Sequence, residues 1–163
     1  MVIILMGVAG VGKTTIGLRL AAELGWRFLD ADAFHSPESV AKMASGTPLT
    51  EEDRAPWLER LRALILAALE GEAPLVLACS ALRRAYRERL VVDPARVKLV
   101  YLRGSQELIA RRLAERRGHF MPPDLLASQY LTLEVPEDAL AVEVEGAPDA
   151  VVETIRGGLG LRG

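Results

Sequence analysis

Gly7-Val8-Ala9-Gly10-Val11-Gly12-Lys13-Thr14 is the stretch whose reading decides the fold of this chain. It has the spacing G-x-x-x-x-G-K-[ST] of a phosphate-binding P-loop. Upstream runs Val2-Ile3-Ile4-Leu5-Met6, a short apolar segment of the kind that a strand buried on both faces needs. Downstream, Ile16, Leu20 and Leu24 recur at helical spacing from Thr15 onward. Strand, glycine loop and helix, in that order, make an anion cradle. Gly7, Gly10 and Gly12 keep Cβ atoms out of the way, so that backbone N–H groups through Val11 and on to Thr15 point inward. The helix N-terminus adds its partial positive charge. Lys13 is placed to reach β/γ-phosphates and the Thr14 hydroxyl to sit on Mg²⁺. The stretch implies a bound nucleoside triphosphate.

The rest of the composition narrows the setting. At 163 residues the chain is long enough for one domain and one core. Half of it is hydrophobic and 26% charged, an ordinary globular balance. A net charge of −2 gives no global basic field for nucleic acid or an anionic membrane. The N-terminal apolar run is too short to span a bilayer and has no basic segment before it, so it reads as a strand and not a signal peptide. Cys79 is the only cysteine, which excludes an internal disulfide and fits a reducing cytoplasm.

Beyond the loop, strands and helices alternate. Gly25 stops the first helix, and Trp26–Leu29 is the second strand, ending in Asp30-Ala31-Asp32. A short helix is expected from Ser36 to Ser45. Thr50-Glu51-Glu52-Asp53 starts a longer one with Trp57, Leu58, Leu61, Leu64, Ile65 and Ala68 buried, stopping near Gly71. Leu75–Cys79 is the third strand, and Ser80 is expected to cap a helix through about Leu90. Val97–Leu102 is the fourth strand, followed by a helix capped by Ser105 and running to about Arg117. After the connector Gly118–Pro123 come a helix from Asp124 to about Thr132, a fifth strand at Ala141–Val144, and a closing helix from Asp149 to Ile155. The alternation predicts an α/β fold, a parallel sheet covered on both faces.

A P-loop alone does not separate kinases, GTPases and motor ATPases. A chain without asparagine cannot supply the Asn-Lys-x-Asp guanine reader of a GTPase. The third strand ends without a carboxylate, so the metal's anionic partner is sought at Asp30, at the carboxyl end of the second strand. In an extended segment Asp30 and Asp32 face the same way; one serves Mg²⁺ while the other accepts a proton from an attacking hydroxyl. Arg112 and Arg116 share a helix face ahead of a glycine- and proline-rich connector, the makings of a cationic lid. Arg54 is a candidate clamp for a substrate carboxylate, and His35 a donor to substrate oxygen. Cys79 reads as a small buried residue, not a nucleophile.

Several stretches together resemble the gluconokinase family of small P-loop kinases. They are Leu5–Val8 through Gly12-Lys13, Asp30-Ala31-Asp32 with His35, Lys42-Met43-Ala44-Ser45-Gly46-Thr47-Pro48-Leu49, Asp53-Arg54-Ala55-Pro56-Trp57-Leu58, and Cys79-Ser80-Ala81-Leu82. Arg112-Leu113 with Arg116, Gly118-His119-Phe120-Met121, and Ser128-Gln129 with Thr132-Leu133-Glu134 complete the match. The resemblance implies ATP- and Mg²⁺-dependent phosphorylation of D-gluconate at its 6-hydroxyl. It also implies a nucleoside-monophosphate-kinase-like fold with a five-stranded parallel sheet, and a homodimer. Within the single domain 1–163 it implies a substrate-binding segment at about 35–70 and a lid at about 116–128. The expected catalytic residues are Lys13, Asp32 and Arg116; Arg112 and Arg116 join the loop on the nucleotide; Asp32, His35, Lys42, Arg54 and His119 meet the substrate; Thr14 and Asp30 hold the metal. The sequence departs from the family at Ser39, where asparagine is usual, and only loosely matches at Glu145–Pro148, where the family wraps adenine mainly through backbone. Two other readings stay open: a kinase of another small hydroxy acid such as shikimate, although Ser80-Ala81-Leu82 stands where that family has a glycine triplet, and a non-catalytic nucleotide-binding regulatory module.

Overall fold

The computed structural model describes residues 1–115 and 123–161. In chain order the elements are β1 (Val2–Met6), α1 (Lys13–Leu24), β2 (Arg27–Asp30), a 3-10 turn (Ala31–Phe34), α2 (Pro37–Ala44), α3 (Glu51–Glu70) and β3 (Leu75–Ala78). Then follow α4 (Arg84–Leu90), β4 (Val97–Arg103), α5 (Gln106–Glu115), α6 (Pro123–Thr132), β5 (Leu140–Glu143) and α7 (Pro148–Gly158). The five strands form one parallel sheet in the order β2-β3-β1-β4-β5. The chain runs from β1 outward to β2, returns to β3, and then crosses β1 to reach β4. The resulting crevice lies at the carboxyl ends of the strands, beside the loop that follows β1.

Period-two alternation in β1 divides the core. Val2, Ile4 and Met6 join Leu61, Ile65 and Leu69 of α3 and Leu90 of α4 on one face. Ile3 and Leu5 join Leu20 of α1, Ile109 of α5, Leu126 of α6 and Ile155 of α7 on the other. All of β1 has 0% exposure, so each of its side chains contributes roughly 1.5–3 kcal/mol relative to water. On the second face α1 comes close to the sheet through Gly17, where a Cβ would lie 2.4 Å from the Phe28 ring. No helix among the described residues is long and apolar enough to cross a membrane.

Helix starts follow their capping chemistry. The Thr50 hydroxyl accepts from Asp53 N–H while the Asp53 carboxylate accepts from Thr50 N–H, a complete capping box at the start of α3. Ser36 caps α2 in the same way through Ser39 N–H, and Ser105 accepts from Leu108 N–H.

Two local expectations are corrected. Ser80 does not cap a helix: α4 begins only at Arg84, because Ser80–Arg83 is an irregular crossing with Ala81 at φ 44°. Its carbonyls are taken by tertiary donors, Gly7 N–H on Ser80 O at 3.3 Å and the Arg87 guanidinium on Ala81 O and Leu82 O. Nor is Asp30-Ala31-Asp32 extended. Asp30 ends β2 and its Oδ1 accepts from Asp32 N–H at 3.0 Å, which winds the chain into the 3-10 turn.

Candidate active site

The loop after β1 is shaped by backbone that only glycine adopts readily. Gly10 has φ 82° and a Cβ there would meet Leu113 at 2.8 Å; Gly12 has φ 103° and is the N-cap of α1. Gly12 offers no side chain to the first turn of α1, so the opening N–H groups of the helix remain available to an anion. Lys13 Nζ donates to Gly7 O at 2.8 Å and Val8 O at 2.9 Å. An ammonium has three N–H bonds, so these two fix the direction of the third. Burial pulls the Lys13 pKa down to about 8 against the opposing pull of Asp32, Cys79 and Asp30.

Asp30 links this loop to the next strand. Its Oδ2 accepts from Thr14 Oγ1 at 3.1 Å while its Oδ1 caps the turn that carries Asp32. One hydroxyl and one carboxylate side by side suit Mg²⁺, which keeps several waters and takes the remainder of its shell from substrate phosphates. No cluster of three or more His, Cys, Asp or Glu side chains that could hold a metal ion occurs among the described residues.

Asp32, in the 3-10 turn after β2, has 83% of its side chain exposed. Partial desolvation and then the Asp30 charge push its carboxyl above the usual range, while Lys13 and His35 hold it back. Water at so open a side chain screens these effects. His35 lies behind it, Nε2 at 3.9 Å from Asp32 Oδ1, stacked on Trp57 with ring centroids 4.5 Å apart. The imidazole is 6% exposed, and burial lowers its pKa, which favours the neutral ring. Among the described residues its buried Nδ1 meets no hydrogen-bond partner. The Trp57 indole in turn donates to Ala31 O at 2.8 Å, so α3 holds the turn that presents Asp32.

The other expected substrate residues already have partners. Lys42 Nζ meets Asp53 Oδ2 at 2.8 Å and joins α2 to the start of α3; that pairing and the Thr50 N–H hold the Asp53 carboxyl at about 2. Arg54 lies over the Tyr86 ring, donates to Tyr86 Oη at 3.2 Å, and reaches Glu51 at 3.4 Å. Two partners leave guanidinium N–H groups to spare. Arg112 donates to the carbonyls of Val144 and Glu145, so it faces the tail after β5. There it lines a cleft of about 430 Å³ with Gly10, Gly12, Thr15, Gly146 and Pro148. Cys79 is 2% exposed, and burial pushes its thiol up to about 12. Arg116 and His119 lie outside the described residues, as does most of the front of the expected lid.

Comparison with known proteins fits this geometry. A family model described as an AAA domain matches residues 2–136. A gluconokinase of Gluconobacter oxydans is 45% identical over 156 residues, covering 94% of this chain and 88% of the relative. The chain belongs to the gluconokinase family. A crystal structure of a gluconokinase from Sinorhizobium meliloti superposes with a TM-score of 0.85 at 41% identity, over 97% of this chain and 90% of that one. A shikimate kinase from Aquifex aeolicus aligns with a TM-score of 0.59 at 22% identity, covering 98% and 96% of the two chains, which shows a shared fold alone. The chain is thus a P-loop kinase of the gluconokinase family, on a five-stranded parallel sheet flanked by helices.

Some residues of this gluconokinase-family site escape a reading of the sequence by motif. Tyr86 and Glu51 position Arg54, with Tyr86 Oη donating to Glu51 Oε1 at 2.8 Å. Arg87, 7% exposed, fastens Ala81, Leu82 and Glu134 through their carbonyls. Tyr86 reaches Arg54 and Glu51, and Arg87 reaches Glu134, across long sequence separations, and local spacing carries no signal for that.

Proposed function

We propose that the protein transfers the γ-phosphoryl group of ATP to the 6-hydroxyl of D-gluconate. The observation that carries this is the bond from Thr14 to Asp30, which ties the phosphate loop to the turn bearing Asp32. A cation site and a proton acceptor thereby share one short segment beside Lys13. The family of the chain and the names of its relatives support gluconate as the acceptor.

The residues divide the work as follows. The loop from Gly7 through Gly10, Val11 and Gly12 to Thr15, with Lys13, binds the triphosphate; Arg112 and the tail at Gly146–Pro148 border the adenosine end. Mg²⁺, held by Thr14 and Asp30, offsets charge on the β- and γ-phosphates when bound. Asp32 orients the 6-hydroxyl and takes its proton as the hydroxyl oxygen bonds to the γ-phosphorus. The bond from that phosphorus to the bridging oxygen breaks, and ADP leaves with the electron pair. His35, Lys42 and Arg54 line the acceptor side within the substrate segment at about 35–70, Arg54 meeting the gluconate carboxylate. Arg116 and His119 complete the phosphate and acceptor contacts from the lid at about 116–128. The protein works as a homodimer in the cytoplasm, where its lone buried thiol needs no oxidising partner.

ADP release from MgATP is measured against gluconate, shikimate, a nucleoside monophosphate and no acceptor. Turnover with gluconate alone is expected. Turnover with another acceptor would overturn the substrate, and nucleotide binding without any turnover would make the protein a regulatory module. Lys13→Ala should lower kcat by about 10²–10³-fold in a folded protein, and Asp32→Ala by about 10²–10⁴-fold. An Asp32→Ala protein that changed only the gluconate KM would make Asp32 a binding group.

A further inference from the structure

One bond at the crown of the phosphate loop is made by a residue with no role so far. Ala9 N–H donates to Gln129 Oε1 at 2.7 Å, across 120 residues of sequence. Ala9 is a loop residue between Val8 and Gly10, while Gln129 lies in α6. The partner fixes the orientation of the carboxamide. A backbone N–H can only donate, so the oxygen of Gln129 faces the loop and the –NH₂ is the other end of the same planar group. Among the described residues no acceptor meets that –NH₂ at hydrogen-bond distance.

The helix holding this side chain is firmly seated. Leu126 is 2% exposed in the core. Tyr130 Oη donates to Gly104 O at 2.8 Å, at the end of β4. Just past the helix, Glu134 N–H donates to Leu82 O at 2.8 Å, and Arg87 donates to Glu134 O at 2.8 Å. Fixed on both sides of Gln129, α6 holds the carboxamide in place before any ligand arrives, the arrangement that electrostatic stabilisation of a reacting group requires.

We propose that Gln129 is a further phosphate-positioning residue: its carboxamide oxygen holds the crown of the loop through Ala9 N–H, and its –NH₂ donates to the terminal phosphoryl group of the triphosphate. This rests on the nucleotide occupying the loop, as in the function proposed above. The chemistry favours a phosphate oxygen as the acceptor, because the carboxamide is held against the phosphate loop, whose Gly12 leaves the first turn of α1 without a side-chain cap and open to an anion. A diphosphate lacks that oxygen. The contact therefore distinguishes ATP from ADP.

The test compares binding of β,γ-imido-ATP and ADP, each with Mg²⁺, to wild type, Gln129→Met and Gln129→Glu by calorimetry. Methionine keeps the length and removes both polar ends. Glutamate keeps an acceptor for Ala9 N–H and replaces the donor by a negative charge. Gln129→Met is expected to weaken the triphosphate analogue about tenfold and ADP by less than about twofold. Gln129→Glu is expected to lower the ratio of analogue to ADP affinity further than Met does. A merely structural role moves both nucleotides together, so an unchanged ratio in the two variants overturns the proposal. If Gln129→Met fails to fold, Gln129→Glu decides by the same ratio. Gluconate-dependent ADP release by the wild type is run on the same preparation. Its failure would remove the acceptor and leave the nucleotide comparison standing.

Discussion

Lys13 is where charge, burial and function meet in one side chain. Its pKa near 8 lies below the ordinary 10.5 of lysine, since burial disfavours the ammonium form. Between those two values the unfolded chain binds more protons at this position than the folded one. Stability therefore rises with pH across that window, and below it the charged form carries the full burial penalty. Lys13→Met should remove this rise, seen as a flatter dependence of urea midpoint on pH from about 8 to about 10.5. Activity runs the other way. The kcat/KM for MgATP of the wild type should fall as pH passes about 8 and the free enzyme loses its ammonium. A profile flat to pH 10 would show that Lys13 stays charged and that its neighbours outweigh burial. The loop motif made Lys13 legible at once, because glycine spacing dictates local backbone. The Tyr86 partner of Arg54 was not legible: it is brought in by α4, and only the folded chain puts it there.

At the scale of elements, α1 packs closely on β2 through Gly17. Gly17 is helical and buried, and a Cβ on it would come within 2.4 Å of the Phe28 ring and 3.3 Å of Leu5. Gly17→Ala gains helix propensity but must displace the ring, with a net loss of about 1–3 kcal/mol expected. Denaturant titration of Gly17→Ala, Phe28→Leu and the double variant tests this. The double variant should be more stable than the sum of the two single losses predicts, and strict additivity would mean that the ring and the helix do not collide. Helix boundaries divide in the same terms between what sequence shows and what it hides. Thr50-Glu51-Glu52-Asp53 reads correctly because a capping box is satisfied within a few residues. Ser80 misleads because its hydroxyl suits a cap, while the carbonyls from Ser80 to Leu82 are claimed by Gly7 and Arg87 from elsewhere in the fold. Asp30 lies beside the loop as its place in the sequence predicts, but Asp30-Ala31-Asp32 is not extended, since a carboxylate that caps its own turn ends the strand at Asp30.

For the whole molecule, helices on both faces of one sheet share β1, and the site lies at the end of that same strand. Ligand occupancy at the loop should therefore be felt by the entire domain. MgATP at about 100 times its Kd adds about 2.7 kcal/mol to the unfolding free energy. In a domain of this size that raises Tm by roughly 5–10 °C. Calorimetric scans with and without MgATP check it, and Lys13→Ala should lose most of the rise. A full shift in that variant would place the nucleotide elsewhere. The overall architecture was readable from the sequence because alternating apolar strands and amphipathic helices leave few parallel topologies open. What no periodicity discloses is the strand order that lays β3 between β1 and β2, and with it the crevice where loop, turn and crossing meet.

Cys79 gives this architecture an internal clock. The chain holds a single sulfur nucleophile, 2% exposed and raised to about 12 at the end of β3, with its N–H on Leu5 O at 3.0 Å. A small aromatic disulfide in solution cannot reach it until β3 parts from β1, so the rate of thiol labelling counts openings of the sheet's centre. Saturating MgATP should slow that rate in proportion to the stability it adds, and the protein thus carries its own label-ready gauge of how often the nucleotide site comes apart.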